Sequence, residues 1–581
     1  MPHSVPVPPT GFQALILCGP GVSLNTFTSN PEEFPKALIP IANRPMVWYP
    51  LDWCYRMGIS NITLITPGPS QGPLEAALSQ NPHLTSLPSP SPSVLAPADL
   101  TLTTGTAELL RLPEVQACIK SDFLLLPCDL ICDIPGESLL EAWMVSQSAL
   151  GGSTLAGGWN TNGPKTIGMG GEVGGRRGGL AVYYQTKGRE ESVKGEVTDF
   201  VATAPLEQGE APAVSHPTDG PAALRFGLSK LVLSMPMDTV KEKMEEDKGL
   251  LIRHSLVKKH AQVKMLTSFR DAHIYVFPYW VKEMARLNEK FESVSEDLVG
   301  WWAKTDWQTG LGEKLRLNEI FRQSQTVGES GSMDESLEEE IDIKAMSTTK
   351  AGAGESYSTS SVEAPAEFQF APRVQSSGTD SGIEPPRKGK LITPPVLAYM
   401  HSALPSAPLV RRVDTSSLLL SVSLRLAKLE SVEEAGKVAA SPFAHNQKVA
   451  YPAGVAQRCT VTKSDCLLAD NVTVEEKCVI KESVIGVGCH IASGARLTRC
   501  LVMDGAVVGE RCQLTGCIVG RRSKVGRECV LKECEIQDGH GVEEQTDAKN
   551  EKFMRFEGLD EDADGMDAAE DFGDEGSDLG F

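Results

Sequence analysis

A seventeen-residue period near the C-terminus constrains this chain more than any other feature. Cys466, Ser483, Cys500, Cys517 and Cys534 recur at that spacing, each followed by two residues that are mostly aliphatic. The second residue after each marker gives Leu468, Ile485, Val502, Val519 and Ile536. The two intervening registers give Val474, Ile491, Val508 and Val525, and Ile480, Leu497, Leu514 and Leu531. All thirteen are aliphatic, and the steps between them run six, six, five. Such a period is the pattern of a solenoid with three short strands per coil, each turning one apolar side chain inward. It predicts a triangular β-helix over 456–545, whose coils bury their faces only against their neighbours. Four residues after the anchors stand small or apolar groups, Val472, Cys478, Cys489, Ala495, Ala506, Cys512, Ser523 and Cys529, as a second and narrower inward position requires.

The same repeat accounts for the cysteines. Nine of the fourteen fall between Cys459 and Cys534, and no C-x-x-C pair occurs. A zinc site needs four converging ligands, and the spacings of Cys512 with Cys517 and Cys529 with Cys534 have no matching second pair, so no metal is expected. At 581 residues the chain has room for several domains. Its formal charge of −21 argues against a broad nucleic-acid face, because a polyanion is repelled over most approaches. That charge is uneven: residues 556–581 hold eleven Asp or Glu and no Lys or Arg, an acidic tail that reads as a solvated disordered end or, alternatively, as an electrostatic arm for a basic partner. There is no apolar run of membrane-spanning length, and MPHSVPVPPTGF lacks the basic and apolar blocks of a secretion signal, so a cytoplasmic chain is expected.

Upstream, the run Phe12 to Cys18 leads into Gly19-Pro20-Gly21, a strand entering a glycine turn. Further strands are expected at 61–66, 123–126, 179–184 and 273–277, with helices at 45–57 and 137–148 between them. This alternation predicts an α/β domain with a Rossmann-like, mainly parallel sheet. In such sheets ligands sit beyond the carboxyl ends of the strands, where Gly19, Gly21, Lys36 and Asp129 are placed to converge. A lysine there suits a phosphate, and a carboxylate there suits magnesium; a surface lysine and a turn-capping Asp are the plain alternatives.

The segments I-L-C-G-P-G-V-S-L and P-K-A-L-I-P-I-A-N-R-P-M-V-W-Y-P, with G-T-A-E at 105–108 and P-C-D at 127–129, resemble the sugar-nucleotide pyrophosphorylases. Many of that superfamily carry a left-handed hexapeptide β-helix behind the nucleotidyltransferase domain, and the handedness expected here comes from that resemblance. Active members have an arginine in G-x-G-T-R where this chain has Ser23, and an N-x-G-hydrophobic-Y stretch where it has Asp271-Ala272-His273-Ile274-Tyr275. W-Y-P-L at 48–51, P-C-D-L-I at 127–131 and D-A-H-I-Y at 271–275 instead resemble the gamma-subunit family of eukaryotic translation initiation factor 2B. The resemblance implies a noncatalytic subunit in a complex with epsilon, beta, delta and alpha subunits that exchanges GDP for GTP on initiation factor 2, with epsilon carrying the activity. It also implies a vestigial nucleotide pocket at Gly19, Gly21, Ser23, Lys36, Gly105, Thr106 and Asp129, where GTP or another nucleotide binds if the pocket still works, and no resident cofactor. The alternative is an active sugar-1-phosphate nucleotidyltransferase of the GDP-mannose pyrophosphorylase kind.

Composition completes the domain map. A disordered start at 1–11 precedes the nucleotidyltransferase-like domain at 12–322, and a polar, Ser-rich and acidic insertion at 323–390 cannot bury enough surface to offset its ordering entropy. Residues 391–435 look like a return to the first domain, with a helix opened by Asp414-Thr415. A linker at 436–455, the β-helix and an acidic tail at 546–581 follow. Gly68-Pro-Ser-Gln-Gly72 matches the serine-hydrolase elbow, but its flanking prolines disfavour that use.

Overall fold

A computed structural model describes residues 11–19, 24–101, 103–147, 177–206, 224, 227–321, 393–405, 407–437 and 439–555. The expected disordered start, the insertion at 323–390 and the tail beyond 555 lie outside them.

The first domain is built on a nine-stranded sheet. Across it the strands run Ser93–Leu95, Asn61–Ile65, Gln13–Leu17, Phe123–Pro127, Lys264–Phe277, Gly179–Gln185, Val396–His401, Leu228–Pro236 and Asp199–Ala204. Both faces are covered, which is why the central strands read as unbroken apolar runs. Alternation still sorts them: Ala14, Ile16, Leu124 and Leu126 enter one core, while Leu15, Phe123 and Leu125 enter the other. The sheet is mainly parallel in strand direction, as expected, with two strands reversed: Lys264–Phe277 and Leu228–Pro236 run against the other seven. Pairing is parallel through the first four strands and again between Gly179–Gln185 and Val396–His401. Elsewhere it is antiparallel, because Lys264–Phe277 runs against Phe123–Pro127 and Gly179–Gln185, and Leu228–Pro236 runs against Val396–His401 and Asp199–Ala204. The first half of that strand also pairs with Asp199–Ala204, so the last five strands close into a ring. Ser93–Leu95 lies in a Pro- and Ser-rich stretch that reads as loop, yet it adds an edge strand to Asn61–Ile65.

The C-terminal region is a run of parallel strands in three sheets, consistent with a left-handed β-helix. All thirteen aliphatic anchors are buried, as are the eight corner residues after them. Four corner thiols show why cysteine suits this place: Cys478, Cys489, Cys512 and Cys529 each donate to the carbonyl fourteen residues on, at 3.1, 3.0, 2.9 and 3.0 Å. Both expected limits of the β-helix shift outward. Asp547–Lys549 and Lys552–Phe553 pair onto the preceding coil, past 545, because Val542, Ala548 and Phe553 continue the period with less typical side chains. At the other end Val449 and Val455 already bridge to Leu468 and Val474, within the expected linker. There the coil-to-coil spacing is nineteen residues, which a search at seventeen misses.

The two regions share a core. Leu467, Val484, Leu501, Met503 and Ile518, on the outside of one β-helix sheet, are buried with Leu419 and Val422 of the helix Ser416–Ala427. Thr415 caps that helix, its hydroxyl accepting from the Leu418 N–H at 3.3 Å.

Candidate functional site

Lys36 opens a short 3-10 turn, Lys36–Leu38, held to the β-helix from outside. Asn43 donates to the Ile485 carbonyl at 2.9 Å, the Arg521 guanidinium lies 3.5 Å from the Phe34 ring centroid, and Arg522 pairs with Glu33 at 2.6 Å. Asp129 leaves the end of Phe123–Pro127, just before the two-stranded ladder of Leu130–Cys132 with Val410–Arg412. The fold brings the two together: Lys36 Nζ is 2.7 Å from Asp129 Oδ2, with the carboxylate 1% exposed.

The ladder delivers a second cation to the same carboxylate. Arg412 Nε stands 3.3 Å from Asp129 Oδ1, and the Val413 N–H donates to the Asp129 carbonyl at 2.8 Å. Both carboxylate oxygens are therefore engaged. From Arg412 the network continues to Asp414 at 4.0 Å, from Asp414 to Arg270, from Arg270 to Glu196 at 3.5 Å, and there Tyr184 donates its hydroxyl to Glu196 at 2.9 Å. Three cations alternate with three carboxylates, so the cluster is near neutral as a unit.

Its electrostatics follow from that alternation. Burial alone would push the Asp129 carboxyl up, but Lys36 and Arg412 outweigh it and hold the group well below the usual carboxylate range. Burial likewise opposes the charged form of Lys36, and Asp129 more than offsets this, leaving its ammonium above the ordinary value. His273 sits in the same field, where burial and then Arg412 hold its imidazole well below its usual value, so it is neutral. Its φ of 53° is left-handed, the conformation that favours glycine, at the position where active pyrophosphorylases have one. Behind it the Asp271 carboxylate accepts from the His273 N–H at 2.8 Å and from the Tyr275 hydroxyl. Burial and then the Asp199 charge push Asp271 up to about 7.

The remaining predicted residues are not drawn into this cluster by any described contact. Gly105 and Thr106 begin the helix Thr106–Leu109 and pack on another segment. Thr106 Oγ1 accepts from the Val294 N–H at 2.9 Å, and a Cβ on Gly105 would stand 2.2 Å from the Glu292 carbonyl oxygen. The glycine is thus fixed by close backbone approach. Gly19 is open on its Cβ side, and Gly21 and Ser23 lie outside the described residues. Ser70 of the elbow-like motif is buried in the first turn of the helix Gly68–Gln80. Arg412, Arg270 and Glu196 are not singled out by the sequence, and Asp414 is read there only as a helix-opening residue. For Arg412 and Asp414 the signal is Arg411-Arg412-Val413-Asp414, three charges in four residues at the end of an apolar stretch; Arg270 and Glu196 carry no comparable one. No group of three or more His, Cys, Asp or Glu among the described residues is arranged to hold a metal ion.

Residues 462–555 match the family described as the GMPPB C-terminal domain. The chain is also 26% identical over 302 residues to a protein of Schizosaccharomyces pombe described as translation initiation factor eIF2B subunit gamma, covering 52% of this chain and 53% of that protein. It thus spans about half the length of the curated relative it matches. Along with a Rossmann-like sheet followed by parallel strands in three sheets, these matches support an eIF2B gamma-like protein whose C-terminal region is of the hexapeptide-repeat kind.

Proposed function

We propose that this chain is a noncatalytic scaffold and regulatory subunit of the initiation factor 2B complex, which exchanges GDP for GTP on initiation factor 2 in the cytosol. In this reading it pairs with a catalytic epsilon subunit inside a larger complex that also holds the beta, delta and alpha subunits. The single observation that carries it is Asp129 held between Lys36 and Arg412. Nucleotidyl transfer needs a carboxylate free to hold a divalent cation and cations free to meet the triphosphate. Here both kinds of charge are spent on each other, and His273 stands beside them in place of a glycine. No helix among the described residues is long and apolar enough to cross a membrane.

The test is direct. The purified chain, given magnesium, a sugar 1-phosphate and each nucleoside triphosphate in turn, releases no pyrophosphate, and it captures an epsilon-like subunit and initiation factor 2 from a defined mixture. Nucleotide binding measured alongside decides whether the vestigial pocket still takes GTP. The match of 462–555 to the GMPPB C-terminal domain favours a second reading, an active sugar-1-phosphate nucleotidyltransferase. Sustained pyrophosphate release would establish that reading and end the first.

A further inference from the structure

Residues Lys248 to Lys264 carry five Lys or Arg and no Asp or Glu, on a chain whose net charge is −21. The same stretch exposes Leu250, Leu251, Ile252 and Val257, with Leu251 at 73%. Local structure explains the exposure. After the helix Met237–Glu246 the chain runs irregularly to the helix His254–Lys259, whose one buried residue, Leu256, packs with Trp307, Val232 and Ala204. Lys304, whose Nζ lies 4.8 Å from the ring centroid of the exposed Trp301, extends this surface. Burial, then Lys243 and Arg253, hold the Lys304 ammonium below its ordinary value, with Asp297 acting the other way. Lys259 is committed to Asp306, whereas Lys243, Arg253 and Lys304 form no ion pair among the described residues.

We propose that this cationic and apolar face is the docking site of the acidic segment 556–581 of the same chain. The segment complements the face in both respects: eleven carboxylates without a single Lys or Arg, interspersed with Phe556, Leu559, Met566, Phe572, Leu579 and Phe581. It follows Arg555 at the last coil of the β-helix, and its 26 residues, fully extended, reach roughly 85 Å. Tethering sets an effective concentration on the order of millimolar, while a polyanion arriving from solution must first overcome the repulsion of the whole chain. The apolar residues on both sides favour this acidic and aromatic segment over a purely ionic ligand, since exposed ion pairs alone hold weakly.

The experiment uses the full chain at low salt and compares it with a variant carrying Glu570→Gln, Asp571→Asn, Asp574→Asn, Glu575→Gln and Asp578→Asn. Amide hydrogen exchange over Leu250–Val257 is expected to be about ten-fold faster in the variant, at any protein concentration. The difference is expected to disappear when both chains also carry Arg253→Glu and Lys304→Glu. Equal exchange in the two chains overturns the proposal, and so does protection that survives the charge reversals. Protection that grows with protein concentration assigns the face to a second copy and also overturns it. Capture of the unmodified chain by phosphatidylserine vesicles, lost on charge reversal, would assign the face to a lipid surface instead.

Discussion

Replacing Arg412 by methionine tests the arrangement on which the functional reading rests. The substitution keeps much of the side-chain volume and removes the charge. Asp129 loses the cation at 3.3 Å and keeps Lys36 at 2.7 Å, while Asp414 keeps Arg270. Breaking a buried ion pair from one side costs about 3–5 kcal/mol when the remaining charge is left alone. Because Lys36 stays, the expected cost falls at or just below the bottom of that range, about 2–3 kcal/mol. The assay is urea unfolding of the wild-type chain, Arg412→Met, Asp129→Asn and the double variant, read as a double-mutant cycle. The sign of the pH dependence is fixed as well. Asp129 is held below its unfolded value of about 3.9, so its stabilisation is complete above that value and is lost as pH falls through the folded value. The deficit of Arg412→Met is therefore full at pH 7 and shrinks below about pH 4. A coupling energy under about 0.5 kcal/mol at pH 7 would refute the reasoning, since uncoupled groups are not clamping one another.

Asp271 titrates in the opposite sense. Its folded value, pushed up to about 7, exceeds the unfolded one, so its contribution is present below about pH 4 and is lost as pH rises through 7. Asp271→Asn should flatten that loss, gaining on the wild type between about pH 4 and pH 7 in chemical denaturation; an unchanged slope would contradict the assignment. In the β-helix, Leu514 stacks between Leu497 and Leu531 and is 1% exposed, so Leu514→Ala should cost about 2–5 kcal/mol through lost burial and a cavity. The exposed neighbour Thr515→Ala should stay within about 0.5 kcal/mol in the same urea titration. Gly105→Ala drives a Cβ against the Glu292 carbonyl and should destabilise by about 1–3 kcal/mol, seen as a lower unfolding midpoint without loss of secondary structure by circular dichroism.

What the chain's order of residues determines by itself is the β-helix. Each inward side chain there needs only the residue one coil before and one coil after, seventeen positions away, so the rule is local and repeats until it shows. It faded only where the rule changed, at the nineteen-residue first coil and at Ala548 and Phe553 in the last. The central strands of the first domain were equally legible, because burial on both faces writes an unbroken apolar run. Strand direction was not, since an apolar run reads the same either way, and the antiparallel course of Lys264–Phe277 emerged only from its neighbours. The candidate site was half visible. Lys36 and Asp129 stood out as charges at the ends of apolar elements, but the partner that fixes their state, Arg412, lies 283 residues beyond Asp129 across an insertion of unrelated composition. A buried charge is set by whichever groups the fold places within a few ångströms, and no spacing rule encodes that neighbourhood, so tertiary structure alone decided that the pocket's carboxylate is already occupied.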